Sequence, residues 1–205
     1  MTTTPADIAA AIRTQNVVFV STQTNRMHGE LCELVVLNQQ GRTLIDTFIK
    51  PQFEIEASTS AYHGITNEMV ADSPTFPDVH GETLAALEGK IVLAYGADYA
   101  RSALFRTCFN YDLPKPKPPV WFCIMQGFAT FYGDLNPQYN SYSYKKLTEA
   151  AAFFDIEISQ ERAGLGKALA ARLVATCMAE TVEKAARERL EVNMWLRGKA
   201  ADIDI

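Results

Sequence analysis

The first fifty residues alternate between short apolar runs and polar turns. The earliest run, at residues 17–20, is four consecutive apolar residues and becomes polar at residues 21–24. Two further runs follow, separated by Gln39-Gln40-Gly41-Arg42. Runs of this length joined by short polar turns predict an antiparallel meander of three strands. The strands are predicted at residues 16–24, 31–37 and 44–49, after a short amphipathic helix at residues 5–14.

Beyond residue 50, helical patterns alternate with two more apolar runs. Thr66 and Thr75 precede helical patterns at positions where a hydroxyl caps a helix, and Asp78 stands three residues after Thr75 as in a capping box. Helices are predicted at residues 66–70, 75–88, 98–110, around Phe128, at 145–154 and from Leu165 to Met178, with strands at 90–94 and 120–124. Three antiparallel strands followed by alternating strands and helices predict an α/β fold with a mixed five-stranded sheet flanked by helices.

Length and composition favour one globular domain in a reducing compartment. The 205 residues are enough for one core, which we place at residues 16–180, between an N-terminal extension with a helix at 1–15 and a C-terminal helical extension at 181–205. The net charge of −5 argues against a broadly basic nucleic-acid surface, although a local groove can still be positive. The four cysteines are scattered and we identify no signal peptide, so we expect a cytoplasmic protein. We expect no membrane segment, because no apolar run is long enough to span a bilayer.

Several motifs in order give the chain a resemblance to a known family. They are Ser21-Thr22-Gln23-Thr24, His63-Gly64-Ile65-Thr66, Pro74-x-Phe76, Tyr95-Gly96-Ala97-Asp98-Tyr99, Trp121-Phe122-Cys123-Ile124-Met125, Lys146-Leu147-Thr148-Glu149-Ala150-Ala151 and Arg162-Ala163. Across roughly residues 16–180 the chain resembles the DnaQ-like, or DEDDh, 3′–5′ exonucleases, which have a ribonuclease H-like fold. The long aromatic loop before Lys145 is most similar to the versions carried by phages and plasmids.

The resemblance implies a site whose ligands are replaced in this chain. Family members hold two Mg²⁺ or Mn²⁺ ions with four carboxylates, and a histidine is the general base. In this arrangement the paired cations stabilise both the attacking and the leaving oxygen of an in-line phosphodiester hydrolysis. The matching positions, hereafter the family-site positions, are Ser21, Gln23, Ala100, Glu161 for the general base and Gly166 for the last carboxylate. Gly96 stands where the family has an asparagine. We therefore expect no catalytic residue, no metal ion and no other cofactor.

Neighbouring acids offer no obvious substitute for these ligands. Asp98 is two residues from Ala100 at a helix start, so its side chain is expected to point roughly 200° away around the helix axis. Four other acids lie near the predicted sheet, and none of them belongs to a pair of acids that stand two residues apart at the end of a strand. They are Glu30, Glu33, Asp46 and Glu149. Two alternatives remain: deliberate replacement of the ligands in the laboratory, which would require five changes, and a shifted register, in which the true ligands lie elsewhere.

Three functional hypotheses follow. The first is a catalytically degenerate exonuclease-fold protein that binds nucleic-acid ends or a protein partner. The second is an active metal-dependent 3′–5′ exonuclease with displaced ligands, and the third is a protein–protein scaffold. Candidate contacts to single-stranded nucleic acid are Thr22, Thr24, His63 and Arg162, each with a structural alternative. Four tyrosines of the aromatic loop region either stack on bases or pack within the loop. They are Tyr132, Tyr139, Tyr142 and Tyr144.

The C-terminal extension carries two apolar patches on one predicted helix. Val182, Ala186 and Leu190 form one stripe, and a second patch, rotated away from it, is centred on Trp195 with Val192 and Leu196. We expect residues 190–197 to dock a protein partner or a second copy of the chain, with Leu190, Trp195 and Leu196 as anchors. The alternative is a bend at Asn193 that returns Trp195 to the body.

Overall fold

A mixed five-stranded sheet forms the centre of the molecule. The computed structural model describes residues 2–27, 29–117, 120–159 and 163–201, with side chains described to residue 193. The strands are β1 Val17–Thr24, β2 Leu31–Asn38, β3 Thr43–Phe48, β4 Ile91–Ala94 and β5 Val120–Cys123, in the order β3-β2-β1-β4-β5. β1, β2 and β3 pair antiparallel, and β4 pairs parallel with both β1 and β5. The predicted α/β fold and its meander are confirmed.

Eight helices flank or connect the strands in the described part of the chain. They are α1 Pro5–Arg13, α2 Ala57–His63, α3 Asn67–Val70, α4 Phe76–Leu87, α5 Ala97–Asn110, α6 Ile124–Tyr132, α7 Leu147–Phe153 and α8 Ala163–Ala201. Helix α2 is absent from the sequence-based prediction. The aromatic loop contains a short hairpin, β6 Leu135–Asn136 and β7 Ser141–Tyr142. None of these helices combines the length and apolar character needed to cross a bilayer.

The two predicted threonine caps are present. The Thr66 hydroxyl accepts a hydrogen bond from the Met69 backbone N–H at 3.4 Å. The Asp78 carboxylate accepts from the Thr75 backbone N–H at 2.8 Å, which closes the capping box at the start of α4. Because these bonds satisfy backbone donors that have no partner within the helix, they define where α3 and α4 begin.

Alternate residues of β1 and β2 pack into two different cores. Val18 and Val20 belong to a buried cluster with α4 and α5, whereas Val17 and Phe19 belong to one with α1, α6, α7 and α8. Successive side chains of a strand leave opposite faces of the sheet. Ser21 and Gln23 share the odd parity of Phe19, so they face the α8 side.

The chain termini differ in how they pack. α1 is part of the core on the α8 side, where Ile8 is fully buried. α8 is buried against the sheet as far as Ala179, and every described side chain from Lys184 to Asn193 is exposed. The helix continues through Asn193 to Ala201, so the bend considered at Asn193 is not present. At 1.5 Å per residue, the stretch from 184 to 201 is about 27 Å long. The side chains of Trp195 and Leu196 lie outside the described part.

Candidate functional site at the carboxyl end of the central strand

The carboxyl end of β1 brings two of the family-site positions together beneath α8. Gln23 is buried, with 8% of its surface exposed, and Ser21 is half-buried. Both stand on the face that packs against α8. The pairing of β1 with β2 places Val35 opposite Ser21 and Glu33 opposite Gln23. This edge of the sheet therefore presents a hydroxyl, an amide and one carboxylate.

Glu33 belongs to the site although the sequence analysis set it aside. It is 3% exposed, and its carboxylate lies against Gly164 in the first turn of α8. Opposite residues of an antiparallel pair have β-carbons about 4.5–5.5 Å apart, so a glutamate at position 23 would put two like charges side by side. The neutral amide of Gln23 avoids that repulsion. A negative charge at a helix N-terminus is also favoured by the helix dipole.

Two glycines at the start of α8 allow close approach of their neighbours. A β-carbon on Gly164 would overlap the Glu33 carboxylate. A β-carbon on Gly166 would overlap the backbone carbonyl oxygen of Ser159. A side chain at position 166, where the family has its last carboxylate, therefore has no room unless the segment containing Ser159 moves.

Lys167 adds a cation beside these residues. Burial lowers the pKa of its amine, and the Glu33 carboxylate opposes that change. The amine lies 5.6 Å from the centre of the Tyr62 ring, in cation–π geometry. Tyr62 is 82% exposed at the end of α2. The site thus carries one carboxylate, one amine and an open aromatic face.

Ala100 does not join Ser21 and Gln23 on their side of the sheet. It is buried in the core cluster on the α5 side. Asp98, the nearest acid on the same helix, is exposed and pairs with Arg101 at 2.9 Å. The expectation that Asp98 points away from Ala100 is confirmed, and Asp98 does not take its place.

His63 and Thr24 are buried, and their side chains form hydrogen bonds around the carboxyl end of β1. The His63 Nδ1 accepts from the Ile65 backbone N–H at 3.0 Å, so Nε2 carries the proton and donates to the Thr24 carbonyl at 3.1 Å. Burial lowers the pKa of His63. The Thr24 hydroxyl donates to the Arg26 carbonyl at 2.8 Å and accepts from the Tyr99 hydroxyl at 2.5 Å. Both side chains hold the end of β1 in place, and their contact with nucleic acid stays a prediction.

The other predicted contacts lie at or beyond the edge of this site. Thr22 is half-buried on the α5 side of β1. Glu161 and Arg162 fall outside the described residues. The four tyrosines are all at least partly exposed, and Tyr132 lies under the Lys145 amine, 5.0 Å from its ring centre.

The described family-site positions do not fit a two-ion centre. Ser21, Gln23, Ala100 and Gly166 supply a hydroxyl, an amide, a methyl group and a hydrogen, where two hard cations need carboxylate oxygens. Across residues 2–27, 29–117, 120–159 and 163–201, no group of three or more His, Cys, Asp or Glu side chains could hold a metal ion. The site instead places the Lys167 amine beside the Glu33 carboxylate.

Sequence reasoning missed Glu33 and Lys167 for different reasons. Glu33 is a charge within the apolar run from Leu31 to Leu37, and that interruption was the available signal. Its position opposite Gln23 follows only from the β1–β2 register. Lys167 gave no signal, because a lysine in a helical pattern is usually a solvated surface residue.

Comparisons with known proteins agree with the fold. The sequence model of the family described as "Exonuclease" matches residues 20–161. An uncharacterized exonuclease of Escherichia phage 186 is 28% identical over 148 residues, covering 69% of this chain and 76% of that protein. Exonuclease X, solved with 5′ overhanging duplex DNA, matches with a TM-score of 0.58 at 21% identity, covering 80% of this chain and 92% of that one.

A second solved structure shows the same fold. The nuclease domain of 3'hExo, a DEDDh family member bound to rAMP, matches with a TM-score of 0.62 at 18% identity, covering 82% of this chain and 92% of that one. The family match spans more than half of the chain and includes the site residues of β1 and β2, which are Ser21, Gln23 and Glu33. The chain belongs to the DnaQ-like exonuclease family and has its ribonuclease H-like fold.

Proposed function

We propose that this protein is a non-catalytic member of the exonuclease family that binds single-stranded nucleic acid, at or near its ends, without cutting it. The observation that carries the proposal is the closed start of α8. Gly166 stands at the position of the last carboxylate, and the Ser159 carbonyl oxygen occupies the space that a side chain there would need. Ser21 and Gln23 contribute a hydroxyl and an amide in place of carboxylates, so these positions lack the ligands that would hold two metal ions.

Lys167 is the residue that we assign to the nucleic acid. A phosphodiester needs positive charge, which the family supplies with metal ions and this site supplies with an amine. Tyr62 lies directly beneath that amine and is open to solvent, so its ring is available to a terminal base. Thr22 and Arg162 remain candidate contacts at the rim. Thr24 and His63 hold the end of β1 in place beside these contacts.

The proposal is tested by scoring binding and cleavage in one experiment. End-labelled single-stranded DNA and RNA are titrated with the protein, with and without Mn²⁺, following anisotropy and then product length. We expect binding that weakens as salt rises, does not depend on Mn²⁺ and leaves the strand intact. Trimming from the 3′ end that EDTA abolishes would establish the active exonuclease instead. Absence of binding to either strand would favour a scaffold.

A protein-binding scaffold is the second candidate, and the exposed part of α8 favours it. Leu190 is 62% exposed and Val192 is also largely exposed, on a helix that leaves the body of the protein. Apolar side chains on a projecting helix are typical of helix-mediated association. In this hypothesis the extension, with Trp195 and Leu196, docks a partner protein or a second copy of the chain.

A reducing, cytoplasmic setting suits either function. All four cysteines are free thiols, and three of them are buried. Burial raises the pKa of the Cys32 thiol to about 12, so this thiol stays protonated and unreactive. We place the protein in the cytoplasm on this basis.

A further inference from the structure

An open groove lies on the outer face of α5. Its volume is about 330 Å³, and it is lined by Ser102, Phe105, Arg106, Phe109 and Lys115. These five residues, hereafter the α5 groove, comprise two cations, two aromatic rings and one hydroxyl. Among the residues that the structure describes, no carboxylate lines it, although the chain as a whole carries a net charge of −5.

Both cations of the α5 groove, Arg106 and Lys115, are exposed to solvent. Within the described residues, neither Arg106 nor Lys115 forms an ion pair with a carboxylate. The Lys115 amine instead lies 5.7 Å from the centre of the Phe105 ring. Both charges are therefore available to an anion from solution.

The aromatic component is equally available. Phe109 is 75% exposed, while Phe105 is half-buried. The two stand four residues apart on α5, so they share one face of the helix. An exposed ring beside cations offers both parts of the usual platform for single-stranded nucleic acid, in which bases stack on rings and phosphates meet positive charge.

The segment that carries Lys115 is held in place by the body of the protein. The His80 Nε2 donates a hydrogen bond to the Pro114 carbonyl at 2.8 Å, and Pro116 is buried. Prolines on both sides of Lys115 restrict its backbone. Because the backbone is ordered before binding, less entropy is lost when an anion meets the lysine.

The α5 groove is separate from the site at the end of β1. α5 packs on the face of the sheet that holds Val18 and Val20, whereas Ser21 and Gln23 face α8 on the other side. The groove lies on the surface of α5 that is turned away from the sheet. The rise from Ala100 to Phe109 is roughly 14 Å along the helix axis. A strand bound in the groove would thus leave Lys167 and Gln23 uncovered.

We propose that the α5 groove is a second binding site for single-stranded nucleic acid, in which Arg106 and Lys115 contact phosphates and Phe109 stacks on a base. This inference rests on the proposed function, because it concerns the same class of ligand at another surface. An acidic peptide would satisfy the two cations and leave Phe109 without a planar partner. The ring and the cations together therefore favour nucleic acid.

The test measures binding of a fluorescein-labelled oligothymidylate of about 16 nucleotides by anisotropy. Arg106→Gln with Lys115→Gln should weaken binding about tenfold and reduce the slope of log K against log salt by about 1.4. Phe109→Ala should weaken single-strand binding about tenfold and leave duplex binding unchanged, because paired bases cannot stack on the ring. The matched control is Lys184→Gln with Arg187→Gln, which removes the same charge from the exposed part of α8 and should have little effect.

Distinct outcomes separate this proposal from the proposed function. If the full-length protein binds the oligonucleotide and the groove variants bind it equally well, only the proposal of a second site in the α5 groove is contradicted. The groove is also overturned if the control pair loses as much affinity, or if Phe109→Ala has no effect and polyglutamate competes as well as the oligonucleotide. If the unmodified protein binds no single strand, the proposed function fails as well.

Discussion

The carboxylate of Glu33 lies over Gly164, in the contact that joins the middle of β2 to the first turn of α8. The glycine has no β-carbon, so the helix start and the acid can approach closely. The negative charge in turn lies at the positive end of the helix. This contact occupies space beside two family-site positions, Gln23 and Gly166, and it is the central structural feature of the site.

Replacing Gly164 with alanine should destabilise the protein. In an open helix, alanine is favoured over glycine by about 1 kcal/mol. At this position the added methyl group would overlap the Glu33 carboxylate. Glu33 is only 3% exposed, so its flexible side chain cannot move aside without displacing a buried charge, and overpacking costs about 1–3 kcal/mol. We expect a net fall in the free energy of unfolding, measured by urea denaturation.

Gly81 is the matched control for that substitution. It lies inside α4, and nothing stands within 4 Å of the position of its missing β-carbon. Gly81→Ala should therefore stabilise the protein by about 0.5–1 kcal/mol. Equal stabilisation by the two substitutions would show that the helix start is open and that Glu33 does not fill it.

Stability should fall on acidification through His63. Burial holds the pKa of His63 in the folded protein below its ordinary value of 6.5. Between these two values the unfolded chain binds more protons than the folded one, so the free energy of unfolding decreases as the pH falls. We expect the drop in Tm from about pH 7.5 to about pH 5.5 to be larger than in His63→Gln, which keeps a donor but cannot titrate. Parallel curves of Tm against pH for the two proteins would contradict the inference that the imidazole of His63 is buried and neutral.

Lys167→Gln should weaken binding to single strands. Loss of one phosphate contact is expected to reduce the slope of log K against log salt by about 0.7, with a loss in affinity of about fivefold to tenfold. Lys184→Gln, an exposed lysine of the same helix, serves as the control. If both variants bind alike while their Tm values match that of the unmodified protein, Lys167 has no part in recognition.

The exposed part of α8 makes a separate prediction about association. Leu190→Asp should abolish any self-association or partner binding seen by sedimentation, with Tm nearly unchanged because the side chain is largely exposed. Met27→Asp changes a similarly exposed apolar residue on the body and should alter neither property. A large loss of stability in Leu190→Asp, with association intact, would place this residue in the fold instead.

Local signals in the sequence were enough to predict most of the fold. The apolar run at the start of β1 and the capping threonines Thr66 and Thr75 each act within a few residues, and each prediction is confirmed. Helix α2 was missed because its sequence, from Ala57 to His63, has a weak apolar pattern and no side-chain cap. The hairpin in the aromatic loop has strands of only two residues, too short for a periodic pattern.

The site was harder to predict because its contacts join distant segments. Gln23 and Glu33 meet through strand register, and Glu33 and Gly164 meet through helix packing across 131 positions of sequence. Neither relationship leaves a local pattern. Two glycines in the first turns of a helix cost up to about 1 kcal/mol each. The structure gives the reason for Gly164 and Gly166, which is the close approach of Glu33 and of the Ser159 backbone.

The most direct test of the account is a calorimetric titration of the protein with Mn²⁺, followed by thermal unfolding in the same solutions. We predict heats equal to those of dilution and an unchanged Tm, because Ser21, Gln23 and Gly166 provide no carboxylate. A specific ion at 100 times its dissociation constant would add about 2.7 kcal/mol to the free energy of unfolding. Saturable Mn²⁺ binding that raises Tm and is lost in Glu33→Gln would contradict the account and establish a metal centre built on this carboxylate.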